Sequence, residues 1–472
     1  MSLDIAKLIE ENAGRNYELH AEHVNPRFAR VLRTIGFDRC YTKASGSYLW
    51  DQHGRRYLDL ISGYGMFALG RNHPDIAAAL QDFVGLAYPS LVQMDAPLLS
   101  GLLAAELKKR VPAELDIVYF TNSGTEGIET AIKFAHCATG RPAILFCRNA
   151  FHGLTNGALA LNGDTIFRDG FSPFLPDCRA IPFNDLGALE QALEAGDVAA
   201  FVVEPIQGKG VNIPDAGYLA GAAQLCRRHG ALLVADEVQT GIGRTGRFLA
   251  IEHEAGVVPD ILVLSKALSG GFVPVGAVMT RRGTYDAVFS SLERSVVHSS
   301  TFGQGSLAMV AGLALLSALD DTGGVERARA TGAYLLERLE AMVPRYEFLH
   351  AVRGRGMMIG IELGRPSRLA LKSAWSMVHA VDASLFPQAV VIPLLDDHGM
   401  ITQVAGHHLD VIKILPPLNL AREDADEFID AFGSVMDGLE TFPGPAWELL
   451  SRIGQFSLTR RPGSGGPGRH VA

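Results

Sequence analysis

The stretch "ILVLSKALSGGFVPVGAV", residues 261–278, places a single lysine between an apolar run and a pair of glycines. The run that precedes it, residues 260–265, is typical of a strand buried on both faces of a sheet. A lysine at the end of such a strand has to be solvated, paired with an anion or used in a reaction. The rest of the chain is needed to choose among these roles for Lys266.

Short apolar runs alternate with helical patterns between residues 76 and 325. The runs are "DIVYF", "AILFC", "AAFVVEP", "ALLVADE", "DILVLS" and "GAVMT", with helical segments such as "EGIETAIKFAHCA" and "AGAAQLCRRH" between them. This alternation predicts an α/β fold with a mostly parallel sheet between helices. Ligands of such sheets bind at the carboxyl ends of the strands, so the residues that follow these runs are the candidates for function.

Four segments are predicted along the chain. Residues 76–325 form a large domain, and residues 1–75 join residues 326–442 in a smaller α+β domain built from both chain ends. Residues 443–472 are a C-terminal extension. Its last stretch, "TRRPGSGGPGRHVA", is rich in Gly, Pro and Arg without apolar periodicity, and we predict that it is disordered.

The composition narrows the class of protein. The chain has 472 residues, of which 48% are hydrophobic, and this suits a large core with a second domain. Its formal charge is −9 and no long basic block occurs, so nucleic acid and anionic membranes are disfavoured as partners. The five cysteines lack metal-binding spacing and the N-terminus lacks the apolar core of a signal peptide. We therefore expect a cytoplasmic protein with reduced cysteines and no bound metal.

A turn at Ser123, Gly124 and Thr125 follows the run "DIVYF" and begins a helix. The first amides of a helix have no partners within it, and together with the helix dipole they favour an anion such as a phosphate. Ser123 and Glu126 also form an S-x-x-E capping box, which accounts for the same residues without any ligand. Taken alone, the motif favours capping over phosphate binding.

Asp236 ends the apolar run "LLVAD". An ionised carboxylate in that position needs a cation or several hydrogen-bond donors, and a protonated ring nitrogen would be such a cation. Two alternatives are a solvated loop that begins at Asp236 and Glu237, and a metal site shared with Glu204. The chain has no HExxH motif or histidine cluster to support a metal.

Lys266 closes the next predicted strand. Desolvation near other positive charge lowers the pKa of an amine and leaves it nucleophilic near neutral pH, which suits a Schiff base, although a lone lysine is more often salt-bridged or solvated. Gly270 and Gly271 are predicted to keep the following turn open for an aldehyde. A phosphate site, a buried carboxylate and a desolvated lysine at neighbouring strand ends together suit pyridoxal 5'-phosphate.

The sequence also resembles the class III aminotransferases, the ornithine and ω-amino acid type of pyridoxal-phosphate enzyme. The fragments that carry the resemblance run in order from about residue 47 to residue 420: "YLWDQHGRRYLDLISG", "GRNHP", "FTNSGTEGIETAIKFA", "FHG", "VEPIQG", "DEVQTGIGRTGRF", "PDILVLSKALSGG", "HSSTFGQGSLA", "VRGRGMMIGIEL" and "ILPPL". The resemblance implies fold type I, with a large cofactor-binding domain and a smaller domain.

The resemblance implies a role for each matching residue. Lys266 corresponds to the lysine that forms a Schiff base with the cofactor, and Asp236 to the carboxylate that keeps the pyridine nitrogen protonated. The other cofactor contacts are a phosphate cup at Ser123, Gly124 and Thr125, ring contacts at Phe151 and Val238, the neighbouring His152, and a polar pair, Glu204 and Gln239, near the phenolic oxygen.

The resemblance further implies a homodimer and a ping-pong mechanism. Thr301 in "HSSTFG" matches a threonine that reaches the phosphate from the neighbouring subunit, so the active sites would be shared. A donor amine displaces Lys266, the freed lysine moves a proton, and a carbonyl product leaves before an acceptor is aminated by the reverse steps.

The sequence departs from the family at the substrate end of the site. Amino-acid transaminases of this class commonly have an arginine before the "PPL" strand, whereas this chain has Lys413, a point charge instead of a two-pronged grip. Arg353 or Arg355 is an alternative carboxylate partner, and either could instead pair with structural carboxylates. Tyr64, Met66 and Phe67 either line an apolar substrate entrance or pack a domain interface.

These features predict transfer of an amino group between an amine or ω-amino compound and a keto acid or aldehyde. A relative of the family with a changed outcome, namely an aminomutase, an epimerase or racemase, or a decarboxylating aminotransferase, is the first alternative. A catalytically inactive cofactor-binding homologue is the second.

Overall fold

The computed structural model describes residues 3–382 and 384–458. Within these ranges the chain forms three β-sheets and a large set of α-helices around them. The C-terminal stretch from residue 459, for which the sequence predicts disorder, lies outside the described residues.

Fifteen strands occur in the described ranges. In chain order, β1 to β15 are Tyr41–Ser45, Tyr48–Asp51, Arg56–Asp59, Ile117–Thr121, Ala143–Cys147, Cys178–Ile181, Val198–Val203, Leu232–Asp236, Ile261–Leu264, Gly276–Thr280, Leu349–Arg355, Met358–Leu363, Met400–Ile401, Gln403–Val404 and Val411–Ile414. Each quoted apolar run between residues 115 and 280 overlaps one of these strands. The pattern does not predict β6, because its four residues "CRAI" include an arginine and form no apolar run.

Seven strands form the central sheet, in the order β4-β10-β9-β8-β7-β5-β6. The pairs from β9 through β8, β7 and β5 to β6 are parallel, and β10 is antiparallel to both of its neighbours. All residues of β5, β7, β9 and β10 are buried, as expected for strands covered on both faces. The prediction of a mostly parallel sheet is confirmed, and the carboxyl ends of β5, β7, β8 and β9 lie at one edge of it.

Eighteen α-helices are found in the same ranges. In chain order, α1 to α18 are Ile5–Glu11, Asn16–His23, Pro26–Thr34, Ser62–Gly65, Pro74–Gly85, Leu98–Lys108, Gly124–Thr139, Asn156–Ala160, Thr165–Arg168, Leu186–Leu193, Tyr218–His229, Arg282–Val288, Ser306–Asp321, Gly324–Glu340, Leu369–Val381, Gln388–Asp396, Arg422–Leu439 and Pro445–Leu458. Short 3-10 turns occur at Ala250–His253, Lys266–Ser269, Leu292–Arg294 and Val343–Arg345.

The helix α7 packs closely on the central sheet. A side chain at Gly127 would bring its Cβ within 2.5 Å of Val263 Cγ1, so only glycine permits this approach to β9. The contact fixes the N-terminus of α7 beside the carboxyl ends of β8 and β9. The first turn of the helix and the end of β9 therefore lie in one region.

Two smaller sheets lie outside the central one. The first has the order β1-β2-β3-β13, and its strand β13 comes from the C-terminal part of the chain and pairs in parallel with β3. The second has the order β11-β12-β15-β14 and is antiparallel throughout. Both chain ends thus contribute to this part of the fold, as predicted. The borders at residues 75, 325 and 442 remain predictions.

The turn between β11 and β12 is the place where the second small sheet meets the loop after β8. Met357 N donates to Arg244 O at 2.8 Å, and the Arg244 guanidinium donates to the carbonyls of Met357 and Pro416. Burial lowers the pKa of Arg244 to about 9, because no carboxylate among the described residues pairs with its charge. Backbone carbonyls from two segments thus hold this cation between the sheets.

Membrane-spanning potential is limited in the described ranges. No single helix there is long and apolar enough to cross a bilayer. One pair, Ser306–Asp321 with Gly324–Arg345, passes by length and composition when taken together, but it is bent by 61°.

Gly332 in α14 provides a test of the packing at the β11–β12 turn. A Cβ at this position would lie 2.1 Å from Gly356 O, which is backbone and cannot rotate away. We expect Gly332→Ala to destabilise the protein by about 1–3 kcal/mol through overpacking. The matched control is Gly438→Ala in α17, where nothing lies within 4 Å and helix propensity predicts a gain of up to about 1 kcal/mol. The midpoint of chemical denaturation measures the stability change in each variant. Equal midpoints for the two variants would contradict the close contact between Gly332 and Gly356.

Candidate active site

Lys266 lies immediately beyond the carboxyl end of β9. It begins a 3-10 turn and has φ +36°, a left-handed conformation that costs free energy for a residue with a Cβ and is typical of functional sites. Among the described residues, none forms a hydrogen bond with Lys266 Nζ. Burial lowers the pKa of Lys266, although the charges of Asp236 and Glu204 oppose the shift. The amine is thus held at the sheet edge, partly desolvated and near two carboxylates.

Asp236 ends β8 with its side chain buried. His152 Nδ1 donates to Asp236 Oδ2 at 2.7 Å, and Val238 N donates to Asp236 Oδ1 at 3.0 Å. Burial lowers the pKa of His152, but the hydrogen bond and charge of Asp236 outweigh it and leave that pKa raised. Asp236 therefore accepts two hydrogen bonds from the chain, with lone pairs left for a further donor.

Glu204 follows β7 and bridges two loops. Its Oε1 accepts from Phe151 N at 3.0 Å and its Oε2 accepts from Gly208 N at 2.7 Å. Burial raises the pKa of Glu204, the charge of Asp236 adds to the shift, and the charge of His152 opposes it. The carboxyl group fixes the backbone at Phe151, which is the predicted ring contact.

The predicted phosphate cup is a tightly packed helix start. Ser123 caps α7 by accepting from Glu126 N at 3.3 Å, while the Glu126 carboxylate accepts from Asn122 N at 2.8 Å, one residue earlier than in a full capping box. The amides of Gly124 and Thr125, in the first turn, have no partner within the helix. The cap and a free anion site therefore coexist at this helix end.

Val238 and Phe151 take positions that suit their predicted contacts with a ring. A Cβ on Gly124 would lie 2.7 Å from Val238 Cγ1, so Val238 packs directly beside the helix start. Phe151 is partly buried, and its ring meets that of Phe167 edge-on at 5.5 Å. The backbone amide of Val238 binds Asp236 and that of Phe151 binds Glu204, and the roles of both side chains toward a cofactor remain predictions.

The glycine pair after Lys266 has another role than the predicted one. A Cβ on Gly270 would lie 2.5 Å from Ile76 Cδ1, and one on Gly271 would lie 2.5 Å from Phe67. The space beside these glycines is therefore filled by the chain's own apolar side chains. The expectation that they keep the turn open for an aldehyde is wrong, because both have positive φ and allow close packing against Phe67 and against Ile76 of α5.

Lys413 is buried in β15, facing the large domain. Its Nζ donates to Gly208 O at 2.9 Å, and burial together with the charge of Lys266 lowers the pKa of Lys413 to about 8. Arg353 in β11 donates to the carbonyls of Gly210 and Val211 and pairs with Glu362. The structure thus commits Arg353 to its own fold, whereas Lys413 lies close enough to Lys266 for their charges to interact.

The remaining predicted residues are Tyr64, Phe67 and Thr301, which differ in exposure and in contacts. Tyr64 is 51% exposed, with its carbonyl bound by Gln239 Nε2 at 3.3 Å and its hydroxyl by Gln403 Nε2 at 3.1 Å. Phe67 packs against Gly271 and beneath the Arg71 guanidinium. Thr301 is exposed. No contact in the described chain joins Thr301 to the other site residues, so its role stays a prediction.

Two polar residues of this region are absent from the sequence-based set. Lys209 donates to Asp164 Oδ2 at 2.9 Å and lies 4.4 Å from the Phe167 ring centroid, and Gln403 lies opposite Lys413 in the β14–β15 ladder. The position of Lys209 directly after the fragment "VEPIQG" was a usable signal. No comparable sequence signal exists for Gln403, because its strand β14 is only two residues long.

These residues fit pyridoxal phosphate. A free helix start for a phosphate, the buried carboxyl group of Asp236 for a ring nitrogen and an unbonded lysine amine for an aldehyde lie together, and Gln239 Oε1 is buried without a partner in the described chain. The metal alternative at Asp236 and Glu204 finds no support, since the described ranges contain no group of three or more metal-binding side chains.

The charge of Asp236 can be tested by Asp236→Asn, which keeps the shape of the side chain. We expect a fall in kcat of about 100-fold or more and weaker cofactor retention, because a protonated ring nitrogen loses its anionic partner. The control is Asp75→Asn, which changes an exposed carboxylate in α5. Steady-state kinetics and the absorbance spectrum of the purified protein measure the effect. Unchanged kinetics in Asp236→Asn would contradict the assignment.

Comparison with known proteins agrees with this arrangement. The sequence model of the aminotransferase class-III family matches residues 33–436. The aminotransferase PigE of a Serratia species is 34% identical over 93% of this chain, which spans only 55% of that protein's length. The putrescine aminotransferase of Pectobacterium atrosepticum is 35% identical, over 85% of this chain and 84% of its own.

Solved structures show the same architecture. The ornithine aminotransferase of Toxoplasma gondii, with 29% identity, superposes with a TM-score of 0.78 over 93% of this chain and all of its own. The predicted fold class is thereby confirmed, and so is the resemblance on which it partly rests. The chain belongs to the class III aminotransferases, a family whose members depend on pyridoxal 5'-phosphate.

Proposed function

We propose that the protein transfers an amino group between a terminal amine or ω-amino compound and a keto acid or aldehyde. The observation that carries this proposal is the burial of Lys413 where amino-acid transaminases of the family commonly have an arginine. Its Nζ is bound to Gly208 O, so no two-pronged group is provided there for an α-carboxylate. A donor that lacks an α-carboxylate has no group that needs such a grip, so the absence of the arginine does not weaken its binding.

The residues around Lys266 have distinct roles in this reaction. Bound pyridoxal phosphate supplies an aldehyde that bonds amines and a ring that accepts electrons. Lys266 Nζ, with its lowered pKa, moves a proton to and from the carbon that carries the amino group. Asp236 holds a negative charge toward the ring nitrogen, and His152 fixes the orientation of that carboxylate. The first turn of α7 binds the phosphate.

Two observations besides the burial of Lys413 support an amine substrate. Tyr64 and Met66 are exposed beside the site, at 51% and 37%, and offer apolar surface to an alkyl chain. One relative, which this chain matches over 84% of the relative's length, is named a putrescine aminotransferase, and putrescine is a diamine. Both observations favour an unbranched amine over a small dicarboxylate.

A donor and acceptor panel tests the proposal. The holoenzyme is assayed with diamines, ω-amino acids, simple alkylamines and α-amino acids, each against pyruvate and 2-oxoglutarate. We expect the highest kcat/KM with a terminal amine, and no turnover for Lys266→Ala because the proton-transferring amine is absent. Turnover confined to α-amino acids would refute the substrate assignment. Turnover without any acceptor would indicate a reaction other than amino transfer, such as that of an aminomutase or of an epimerase or racemase.

We also propose a homodimer with shared active sites. Thr301 lies within an exposed apolar segment that includes Leu292 at 93% exposure, Val296 at 68% and Phe302 at 66%. Surface of this kind is typical of an interface between subunits. A second subunit that covered the segment would bring Thr301 toward a neighbouring site.

Subunit complementation tests the shared site. Lys266→Ala and Thr301→Glu are each expected to be inactive, the second because a carboxylate repels the cofactor phosphate. Unfolding and refolding the two variants together should restore up to about one quarter of wild-type activity, because half of randomly paired dimers carry one intact site. No recovery in a mixture that forms dimers would show that Thr301 acts within its own subunit.

A further inference from the structure

Glu129 lies one turn beyond Thr125 in α7, on the same face of the helix. Its Oε1 accepts three hydrogen bonds from the segment that follows β5, namely from Thr155 Oγ1 at 2.5 Å, Gly157 N at 2.7 Å and Ala158 N at 3.1 Å. A Cβ on Gly157 would lie 2.3 Å from Glu129 Oε2, so the backbone passes directly over this carboxylate. Glu129 thus joins α7 to the start of α8.

Glu129 replaces the cap that α8 lacks. Thr155 is the N-cap residue of α8, but its side chain makes no capping hydrogen bond. Gly157 N and Ala158 N belong to the first turn of α8, where amides have no partner within the helix. Because a carboxylate from another helix binds these amides, the Thr155 hydroxyl is left for a different contact.

The Thr155 hydroxyl connects Glu129 to Thr125. Thr155 Oγ1 has a single hydrogen, which it donates to Glu129, and the same oxygen lies 2.7 Å from Thr125 Oγ1. The Thr125 hydroxyl is therefore the donor in this second bond. Thr125 Oγ1 also accepts from Thr155 N at 3.3 Å. The Thr125 hydroxyl hydrogen is thus used within the chain, and none is left for a phosphate oxygen at the helix start.

The same contacts fix the loop of residues 151–155, which carries the predicted ring contact. Gly153 has φ +125°, and a Cβ there would lie 2.3 Å from Thr125 Oγ1, so the loop crosses the first turn of α7 in direct contact. Nearer its other end, His152 binds Asp236. The loop is therefore held by α7 on one side and by the end of β8 on the other.

The charge of Glu129 by itself opposes phosphate binding. Glu129 is partly buried one turn from the predicted phosphate cup, and like charges at such a separation repel each other. No basic side chain in the described part of the chain forms an ion pair with Glu129 within 4.0 Å. Its three donors come from the loop and from α8. The benefit of a carboxylate in this place is therefore geometric.

We propose that Glu129 is a positioning residue for the cofactor phosphate. Through Thr155 it takes up the Thr125 hydroxyl hydrogen, so that the phosphate is bound here by the backbone amides of Gly124 and Thr125 and not by the Thr125 side chain. Glu129 also holds residues 151–155 against the first turn of α7. The inference concerns the cofactor alone, so a failure of the proposed substrate class would leave it intact.

A double-mutant cycle separates this network from a direct bond between the Thr125 hydroxyl and the phosphate. Wild type, Thr125→Val, Thr155→Val and the double variant are freed of cofactor and titrated with pyridoxal 5'-phosphate to obtain Kd. We expect each single variant to raise Kd by about 2- to 10-fold, the range for a neutral hydrogen bond, and the double variant to bind no more weakly than the weaker single variant.

Two results of the cycle would overturn the proposal. The first is a pair of losses that multiply in the double variant, because the two hydroxyls would then act independently. The second is an unchanged Kd in Thr155→Val beside a loss of about 10- to 100-fold in Thr125→Val, the range for a hydrogen bond to a charged group.

Two variants of Glu129 distinguish geometry from charge. Glu129→Ala removes all three contacts and should raise Kd about 10-fold or more. Glu129→Gln keeps an oxygen acceptor and should recover part of the lost affinity. If Glu129 acted on the phosphate by charge alone, both variants would remove a repulsion and would lower Kd to the same extent. That outcome would contradict the positioning role.

Visible circular dichroism provides a readout without turnover. At saturating pyridoxal 5'-phosphate, the signal per bound cofactor reports how firmly the chain orients the ring. We expect a weaker signal in Glu129→Ala and a signal close to wild type in Glu129→Gln, with the far-ultraviolet spectrum unchanged in both. Equal visible signals in wild type and Glu129→Ala would count against the inference.

Thr139→Val is the matched control for the threonine variants. Thr139 lies in the last turn of α7, and its hydroxyl donates to Ala135 O at 2.8 Å within the helix. The variant makes the same chemical change at the other end of the same helix and should leave Kd unchanged. A loss as large as that of Thr155→Val would show that the effect is not specific to the network, and the assignment would fail.

Discussion

The hydrogen bond between His152 and Asp236 is the interaction on which the site depends. Asp236 ends a strand of an apolar sheet, where an ionised carboxylate without donors would cost several kcal/mol. His152 Nδ1 and Val238 N supply two donors, and Glu204 fixes the backbone of the residue before His152. The parallel sheet brings these groups to one edge because β5, β7 and β8 end there. The carboxyl group that we propose as the partner of the cofactor ring is thus positioned by the folded chain itself.

The electrostatic balance of the site follows from the same constraint. The charges of Lys266, Lys413 and Lys209 all interact with Glu204, while Asp236 acts on Lys266 and Asp164 pairs with Lys209. Desolvation lowers the pKa of each lysine, and the carboxylates limit the shift. Only Lys209 has a carboxylate partner at hydrogen-bond distance within the described ranges. In the same part of the chain, Lys266 and Lys413 have no carboxylate at that distance.

Much of this arrangement follows from local sequence, and part of it does not. Apolar runs predict the central strands, and the positions of Asp236 and Lys266 at their ends predict the reacting edge, because strand ends are set by residues close in sequence. The role of Gly270 and Gly271 was predicted wrongly, since Ile76 and Phe67 approach them from distant segments. The partner of Lys413, Gly208 O, lies 205 residues away, and no local pattern encodes such a contact.

The central claim is that Lys266, among three buried or partly buried lysines of the site, bonds the cofactor. Borohydride reduction of the holoenzyme followed by peptide mass mapping tests it directly. The account predicts a phosphopyridoxyl group on the peptide that contains Lys266 and unmodified Lys209 and Lys413. Modification of either of those lysines, or no stable modification at Lys266, would contradict it.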